Sequence, residues 1–171
     1  MATVTTSSTT PTYDSSQFKW GTGSVFVDAS RFVDISPTKP LVLDGDFTVQ
    51  GWVRIAEDHW YQCLFEIGNN STNSLLVRIR DATTANGTAN GNGSVLVNGA
   101  TIPDVSGNNF GRACSRNTWA YICINRDKGE VKVYVNGVLR ASSAGGSVSV
   151  KNSAAATINT NGKPIRIGWQ R

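Results

Sequence analysis

"WAYICINRDKGEVKVYVNGVLRAS", residues 119–142, reads as three β-strands joined by two tight turns. Side chains alternate between the two faces of a strand. Trp119, Tyr121 and Cys123 therefore share one face, and Ala120, Ile122 and Ile124 share the other. After a turn at Asp127-Lys128-Gly129, Val131, Val133 and Val135 line one face and Lys132, Tyr134 and Asn136 the opposite one. Asn136-Gly137 suits a type I′ hairpin, which requires positive φ at both central positions. Apolar groups on both faces of the first strand place it centrally in a sandwich. Cys123 is expected to serve as core filler.

The alternation continues outward from this segment. "VLVNGAT" (95–101) uses the turn chemistry of "VYVNGVL" (133–139). "SVFV" (24–27), "RFVDI" (31–35), "QCLFEI" (62–67), "SLLVRIR" (74–80), "SVLV" (94–97) and "PIRIGW" (164–169) all read as short strands. In "DFTVQGWVRI" (46–55), Phe47, Val49, Gly51, Val53 and Ile55 lie on one face and Thr48, Gln50, Trp52 and Arg54 on the other. No 11-residue window carries a 3.6-residue period, so little or no helix is expected. The expected class is all-β: a two-sheet antiparallel β-sandwich of the jelly-roll kind.

A chain of 171 residues fits one domain. At this size roughly 70% of the unfolded surface is buried on folding, so neither disulfide nor metal is needed. The net charge is +4, and the basic residues are scattered, with Arg78 and Arg80 the nearest approach to a cluster. Nucleic-acid binders concentrate basic charge on a face or helix, so that class is set aside. No apolar run approaches the roughly 20 residues of a membrane span. Cys63, Cys114 and Cys123 follow no metal-binding spacing; a Cys114–Cys123 bridge stays open. Residues 1–12 form a Thr/Ser-rich arm, and 13–171 the folded domain. The arm lacks the apolar core of a secretory signal, so synthesis and retention in the cytoplasm, or release without that signal, is expected. Such a polar arm stays ordered only if its own sheet or a neighbouring subunit holds it.

Four segments together resemble the concanavalin A-like lectin/glucanase superfamily and, within it, the laminin G-like jelly-roll modules. They are "FKWGTGSVFVDASRFVDI" (18–35), "LVLDGDFTVQGWVRI" (41–55), "NTWAYICINRDKGEVKVYVNGVLRAS" (117–142) and "KPIRIGW" (163–169). The likeness covers about residues 13–171. It implies that Trp52 and Trp119 fill the space between sheets, and that Tyr134 and Asn136-Gly137 set a strand and its turn. Ala120-Tyr121 stands where many relatives carry a His near the Trp. The superfamily spans lectins, adhesion modules, hydrolases and tailed-phage virion proteins, so the resemblance fixes the fold more narrowly than the function.

Hydrolases of this fold need two carboxylates roughly 5 Å apart, supplied in the glucanases by an E-x-D-x-E run. The three Glu here, Glu57, Glu66 and Glu130, form no such run. No catalytic residue is assigned. A sugar site instead needs an aromatic face for C–H groups and planar polar groups for hydroxyls. "EDHWYQ" (57–62) supplies His59, Trp60 and Tyr61 in a connection between strands, and these are the glycan-binding candidates. Trp20 and Trp169 are weaker candidates. Partner contacts are expected from Thr5, Thr6, Thr9 and Thr10 in the arm. The polar, Gly-rich loop 81–94 adds Asn86, Asn90 and Asn92. Relatives often hold one calcium ion. Asp28, Asp44 and Asp46 lie in turns without a ligand spacing and are assigned to turn formation; calcium stays open without a motif behind it, and no other cofactor or metal is expected.

The expected function is that of a non-enzymatic binding or structural module at a virion surface, as capsid decoration or a tail component. It would attach through arm and loops to capsid or tail subunits within an oligomeric assembly. The alternative is a carbohydrate-binding, lectin-like or adhesion module that meets a cell-surface glycan, with an extracellular location. A glycoside hydrolase stands third, disfavoured by the carboxylates.

Overall fold

The computed structural model describes residues 2–6, 10–28, 31–56, 62–68, 74–79, 93–105, 110, 113–115, 117–160 and 162–168. The strands begin with β1 (Thr3–Thr6), β2 (Thr12–Asp14), β3 (Ser24–Phe26), β4 (Val33–Ser36) and β5 (Val42–Leu43). They continue with β6 (Phe47–Arg54), β7 (Gln62–Ile67), β8 (Leu75–Ile79), β9 (Ser94–Val97) and β10 (Ala100–Thr101). The opening segment supplies β11 (Trp119–Asp127), β12 (Glu130–Val135) and β13 (Val138–Ser142). A 3₁₀ turn (Ser143–Gly145) and one helix, α1 (Val148–Ala155), precede β14 (Ile158–Asn159) and β15 (Ile165–Ile167).

A seven-stranded sheet, ordered β1-β4-β15-β7-β8-β9-β10, faces a four-stranded sheet, ordered β13-β12-β11-β6. The hairpin β2–β3 and the pair β5–β14 stand apart from both. The strand pairings of both sheets are antiparallel. The architecture is the expected all-β sandwich, with β11 interior to its sheet as its two apolar faces require. Three hairpin turns place both central residues at positive φ: Asn98-Gly99 at 50° and 78°, Lys128-Gly129 at 49° and 78°, and Asn136-Gly137 at 51° and 79°. That is type I′ geometry, whose twist matches the flanking strands. Lys128 lacks the local hydrogen bonding by which Asn tolerates this region. Its N–H donates instead to Asp46 Oδ1 at 2.8 Å.

The core lies between the sheets. Leu75, Val77, Val95 and Val97 from the long sheet meet Ile122, Ile124, Val131, Val133 and Val135 from the short one. Each such side chain contributes about 1.5–3 kcal/mol of burial. Period two then fixes everything else on β11. Ile122 pairs with Val135, Ile124 with Val133 and Arg126 with Val131. Since β12 has a single apolar face, the β11 residues opposite its valines go inward. Trp119, Tyr121 and Cys123 are left facing outward, half-buried. Trp52, opposite Tyr121 on β6, faces outward with them. The expectation that Trp52, Trp119 and Cys123 fill the core is therefore corrected. The valine register of β12 outweighs the greater bulk of the tryptophans.

The same alternation carries Arg126 into the core, where it is 1% exposed. Its Nε donates to the Gly45 carbonyl (2.7 Å) and its Nη2 to the Leu43 carbonyl (2.7 Å). Nη2 also reaches the Gly45 carbonyl. Nη1 donates to the carbonyls of Ala156 (2.8 Å) and Ala154 (3.5 Å). The guanidinium carbon stacks 4.7 Å from the Phe47 ring centroid. Burial pulls the Arg126 pKa down, while Asp46 and Asp44 nearby act to raise it. The helix α1 escapes the sequence pattern because it has no apolar stripe: Ala154 is its one buried residue. Ser147 caps its N-terminus by accepting from the Val150 N–H. Asn98 Nδ2 donates to the Ser153 carbonyl (2.8 Å) near its C-terminus.

Residues Thr3–Thr6 of the arm pair with Val33–Ser36 and form the edge of the seven-stranded sheet. All four are exposed. The domain's own sheet thus holds this part of the arm.

Two predictions follow from these positions. Arg126→Ala leaves the part-buried carbonyls of Leu43, Gly45 and Ala156 without their donor, each costing about 1 kcal/mol or more, so stability should fall by roughly 3 kcal/mol. A urea midpoint equal to that of the parent chain would contradict the role of Arg126. The second concerns the thiols. Cys63 and Cys114 are buried and Cys123 is half-buried on the outward face, and none is bridged. Burial pushes the Cys114 thiol up to about 12, and it also raises that of Cys123. The thiolate is the reactive form. Maleimide at pH 8 should therefore modify Cys123 first in the folded protein, and all three thiols after denaturation. Prior modification of Cys114 would contradict the facing of β11.

Candidate functional site

The outward face of the four-stranded sheet gathers aromatic and planar polar side chains in register. Tyr121 lies opposite Trp52, and their ring centroids are 5.2 Å apart at 50°. Trp119 lies opposite Arg54, Cys123 opposite Gln50, and Asn125 opposite Thr48. On the other side of β11, Cys123 meets Tyr134 and Asn125 meets Lys132. Thr48 and Gln50 are exposed, and the aromatics half-buried. Rigid strands hold these groups, so a flat ligand meets a preorganised surface.

Local contacts set the polar groups. Asn125 Nδ2 donates to Thr48 Oγ1 at 3.1 Å. Asn136 brackets Tyr121: its Oδ1 accepts from the Tyr121 N–H (2.9 Å) and its N–H donates to the Tyr121 carbonyl (2.8 Å). Arg54 Nη2 donates to Asn117 Oδ1 at 3.1 Å. Lys132 Nζ lies 3.5 Å from Glu130 Oε2, and Glu130 Oε1 accepts from the Ser142 hydroxyl at 2.8 Å.

The loop between β2 and β3 reaches this face. Lys19 Nζ sits 4.6 Å from the Trp52 ring centroid, a cation–π contact. Asp14 Oδ1 shapes the loop by accepting from Ser16 N–H (2.8 Å), the Ser16 hydroxyl (2.7 Å) and Gln17 N–H (3.0 Å). These bonds, the Ser16 hydroxyl foremost, hold the Asp14 carboxyl below its ordinary pKa. Tyr13 donates its hydroxyl hydrogen to Thr22 Oγ1 at 2.9 Å and closes the loop. Trp20, next to Lys19, is 72% exposed.

The residues singled out in the sequence fall elsewhere. His59, Trp60, Tyr61, Thr9, Asn86, Asn90, Asn92 and Trp169 lie outside the described residues. Thr5 and Thr6 stand in β1, and Thr10 is exposed just before β2. Glu66 is buried in β7 of the seven-stranded sheet, while Glu130 stands on the four-stranded sheet, so these two form no carboxylate pair; Glu57 is outside the described residues. Asp28 forms an ion pair with Arg31 (3.7 Å), and Asp46 holds the Lys128 turn. No group of three or more metal-ligating side chains occurs among the described residues. The outward aromatic row is not among the residues that the sequence singles out, although its pattern is visible there. The alternation in 46–55 already grouped Trp52 with Thr48, Gln50 and Arg54.

Comparison with known proteins supports the fold. No curated protein sequence matches this chain. Among solved structures, domain 4 of AbnA, a GH43 extracellular arabinanase from Geobacillus stearothermophilus, is similar at TM-score 0.53 and 15% identity. That match covers 99% of this chain and 73% of the other. Domains LG4-5 of the mouse laminin α1 chain match at TM-score 0.38 and 14% identity, covering 77% of this chain and 31% of that one. The family model Laminin_G_3 matches residues 27–170. With that span, and with a two-sheet sandwich, the chain belongs to the concanavalin A-like lectin/glucanases superfamily.

Proposed function

We propose that this protein is a non-enzymatic carbohydrate-binding module whose ligand lies on the outward face of the four-stranded sheet. One observation carries the reading: Trp52 and Tyr121, cross-strand neighbours, stand among Gln50, Thr48 and Asn125 on an outward face. Aromatic surfaces take the C–H faces of sugar rings, and amides and hydroxyls take their hydroxyl groups. The fold supports the same class. Domain 4 of AbnA was solved in complex with arabinotriose, which makes arabinan a reasonable first neutral probe.

The loop at 57–62 is a competing location for the same activity, on the strength of His59, Trp60 and Tyr61. Virion attachment through the arm is a separate proposal. Residues 3–6 already occupy a strand of their own sheet, so only the free edge of β1 would remain for a capsid or tail subunit.

Affinity electrophoresis on immobilised arabinan, xylan and β-glucan decides between the two surfaces. Trp52→Ala and Tyr121→Ala should each weaken retention by about tenfold or more, as expected for loss of a stacking side chain near the centre of a site. Trp60→Ala should leave it intact. Loss of retention in Trp60→Ala alone would move the site to the loop. Release of reducing sugar by the parent chain would contradict the non-enzymatic reading.

A further inference from the structure

We propose that the polysaccharide taken by this face is anionic, its carboxylate or sulfate groups held by Lys19 and Arg54 beside Trp52. The inference rests on the reading of this face as a glycan-binding surface. It begins with the placement of charge around one tryptophan. Arg54 shares the outward side of β6 with Trp52, two residues further along the strand. Lys19 stands over the Trp52 ring at 4.6 Å, brought there by a different segment of chain.

Neither cation meets a carboxylate within ion-pair distance among the described residues. Arg54 donates to the neutral amide oxygen of Asn117. Asp14 is the nearby acid that feels the Arg54 charge, but its Oδ1 is committed to Ser16 and Gln17 of its own loop. Other cations of this molecule have found partners. Lys132 has Glu130, Arg31 has Asp28, and Arg166 makes a two-pronged contact with Asp34 at 2.8 and 2.7 Å.

Lys19 lies against the Trp52 ring on a loop that is tied internally. Its loop is tied by the Asp14 bonds, by Tyr13 to Thr22, and by the Ser24 hydroxyl donating to the Gln17 carbonyl at 2.6 Å. A cation held in place forfeits less side-chain entropy on binding. A neutral sugar beside Trp52 would leave Lys19 with the Trp52 ring and Arg54 with the neutral Asn117 amide as their contacts. An acidic one would gain charge-assisted hydrogen bonds, with Arg54 able to engage a carboxylate through two donors. The net charge of +4 adds a long-range attraction of the same sign. Trp20, exposed and directly after Lys19, adds a further aromatic surface at the same loop.

The test uses the whole chain and four immobilised polymers: polygalacturonate, its methyl ester, heparin and arabinan. Methyl esterification removes the charge and keeps the sugar. The proposal expects stronger retention on polygalacturonate than on its ester, or on heparin than on arabinan; retention on polygalacturonate assigns the carboxylate, and retention on heparin without polygalacturonate assigns the sulfate, since heparin carries both groups. Lys19→Gln should weaken that retention about threefold to tenfold, the scale of one exposed charge-assisted contact. Lys151→Gln removes the same charge from an exposed position on α1 and should have no such effect. Equal loss in both variants would reduce the attraction to net charge and overturn the proposal. Retention on arabinan or the ester alone, dependent on Trp52, would overturn it while leaving the glycan-binding surface standing. Retention on none of the four would remove both.

Discussion

A buried guanidinium ties the short sheet to the end of α1, which the long sheet holds in turn. Arg126 projects from β11 of the short sheet and collects carbonyls from the end of β5, from the turn before β6 and from the end of α1. Asn98, in the β9–β10 turn of the long sheet, holds the same helix end through the Ser153 carbonyl. The C-terminus of α1 is therefore where the two sheets are tied together. A helix C-terminus presents unsatisfied carbonyls and partial negative charge. A planar cation with five donors suits both. Arg126 remains the counterpart of these dipoles despite the cost of burial, with Asp44 and Asp46 offsetting part of that cost.

The valine register of β12 sets the facing of the short sheet, and Arg126 goes inward with it. With Arg126, Ile124 and Ile122 inside, Asn125, Cys123 and Tyr121 must be outside. β6 follows β11 in register, so Trp52 and Gln50 join them. The surface proposed to bind sugar is the outward complement of the core packing, and its regular spacing comes from the strand ladder. The hairpin β2–β3 then adds Lys19 at one margin. No loop has to fold on binding for Trp52, Tyr121 and Gln50 to stand together.

The fold was largely legible because short strands and turn residues have local causes. The two Asn-Gly turns take type I′ geometry, and "QCLFEI" and "SVLV" are strands at the residues their alternation marks. The helix was not legible, because a Val/Ser/Lys/Asn/Ala segment with one buried residue leaves no periodic stripe. Neither was β1: its Thr-rich composition resembles disorder, and only the pairing with β4 makes it a strand. The candidate site was half legible. Alternation grouped its residues correctly, but the family resemblance implied burying Trp52 and Trp119, and only the partner register of β12 decides which apolar face goes inward. Arg126 was masked in the same way, since an arginine on the core side of a strand is legible only through its i−2 neighbour Ile124.

The central claim is that the outward face of the four-stranded sheet is the ligand-binding surface. Backbone amide shifts of isotopically labelled protein, followed during titration with a galacturonate oligosaccharide, report it residue by residue. The account predicts perturbations centred on Trp52, Tyr121 and Gln50, extending to Lys19 and Arg54. Perturbations confined to 57–62 or 81–94, with β6 and β11 unmoved, would contradict it.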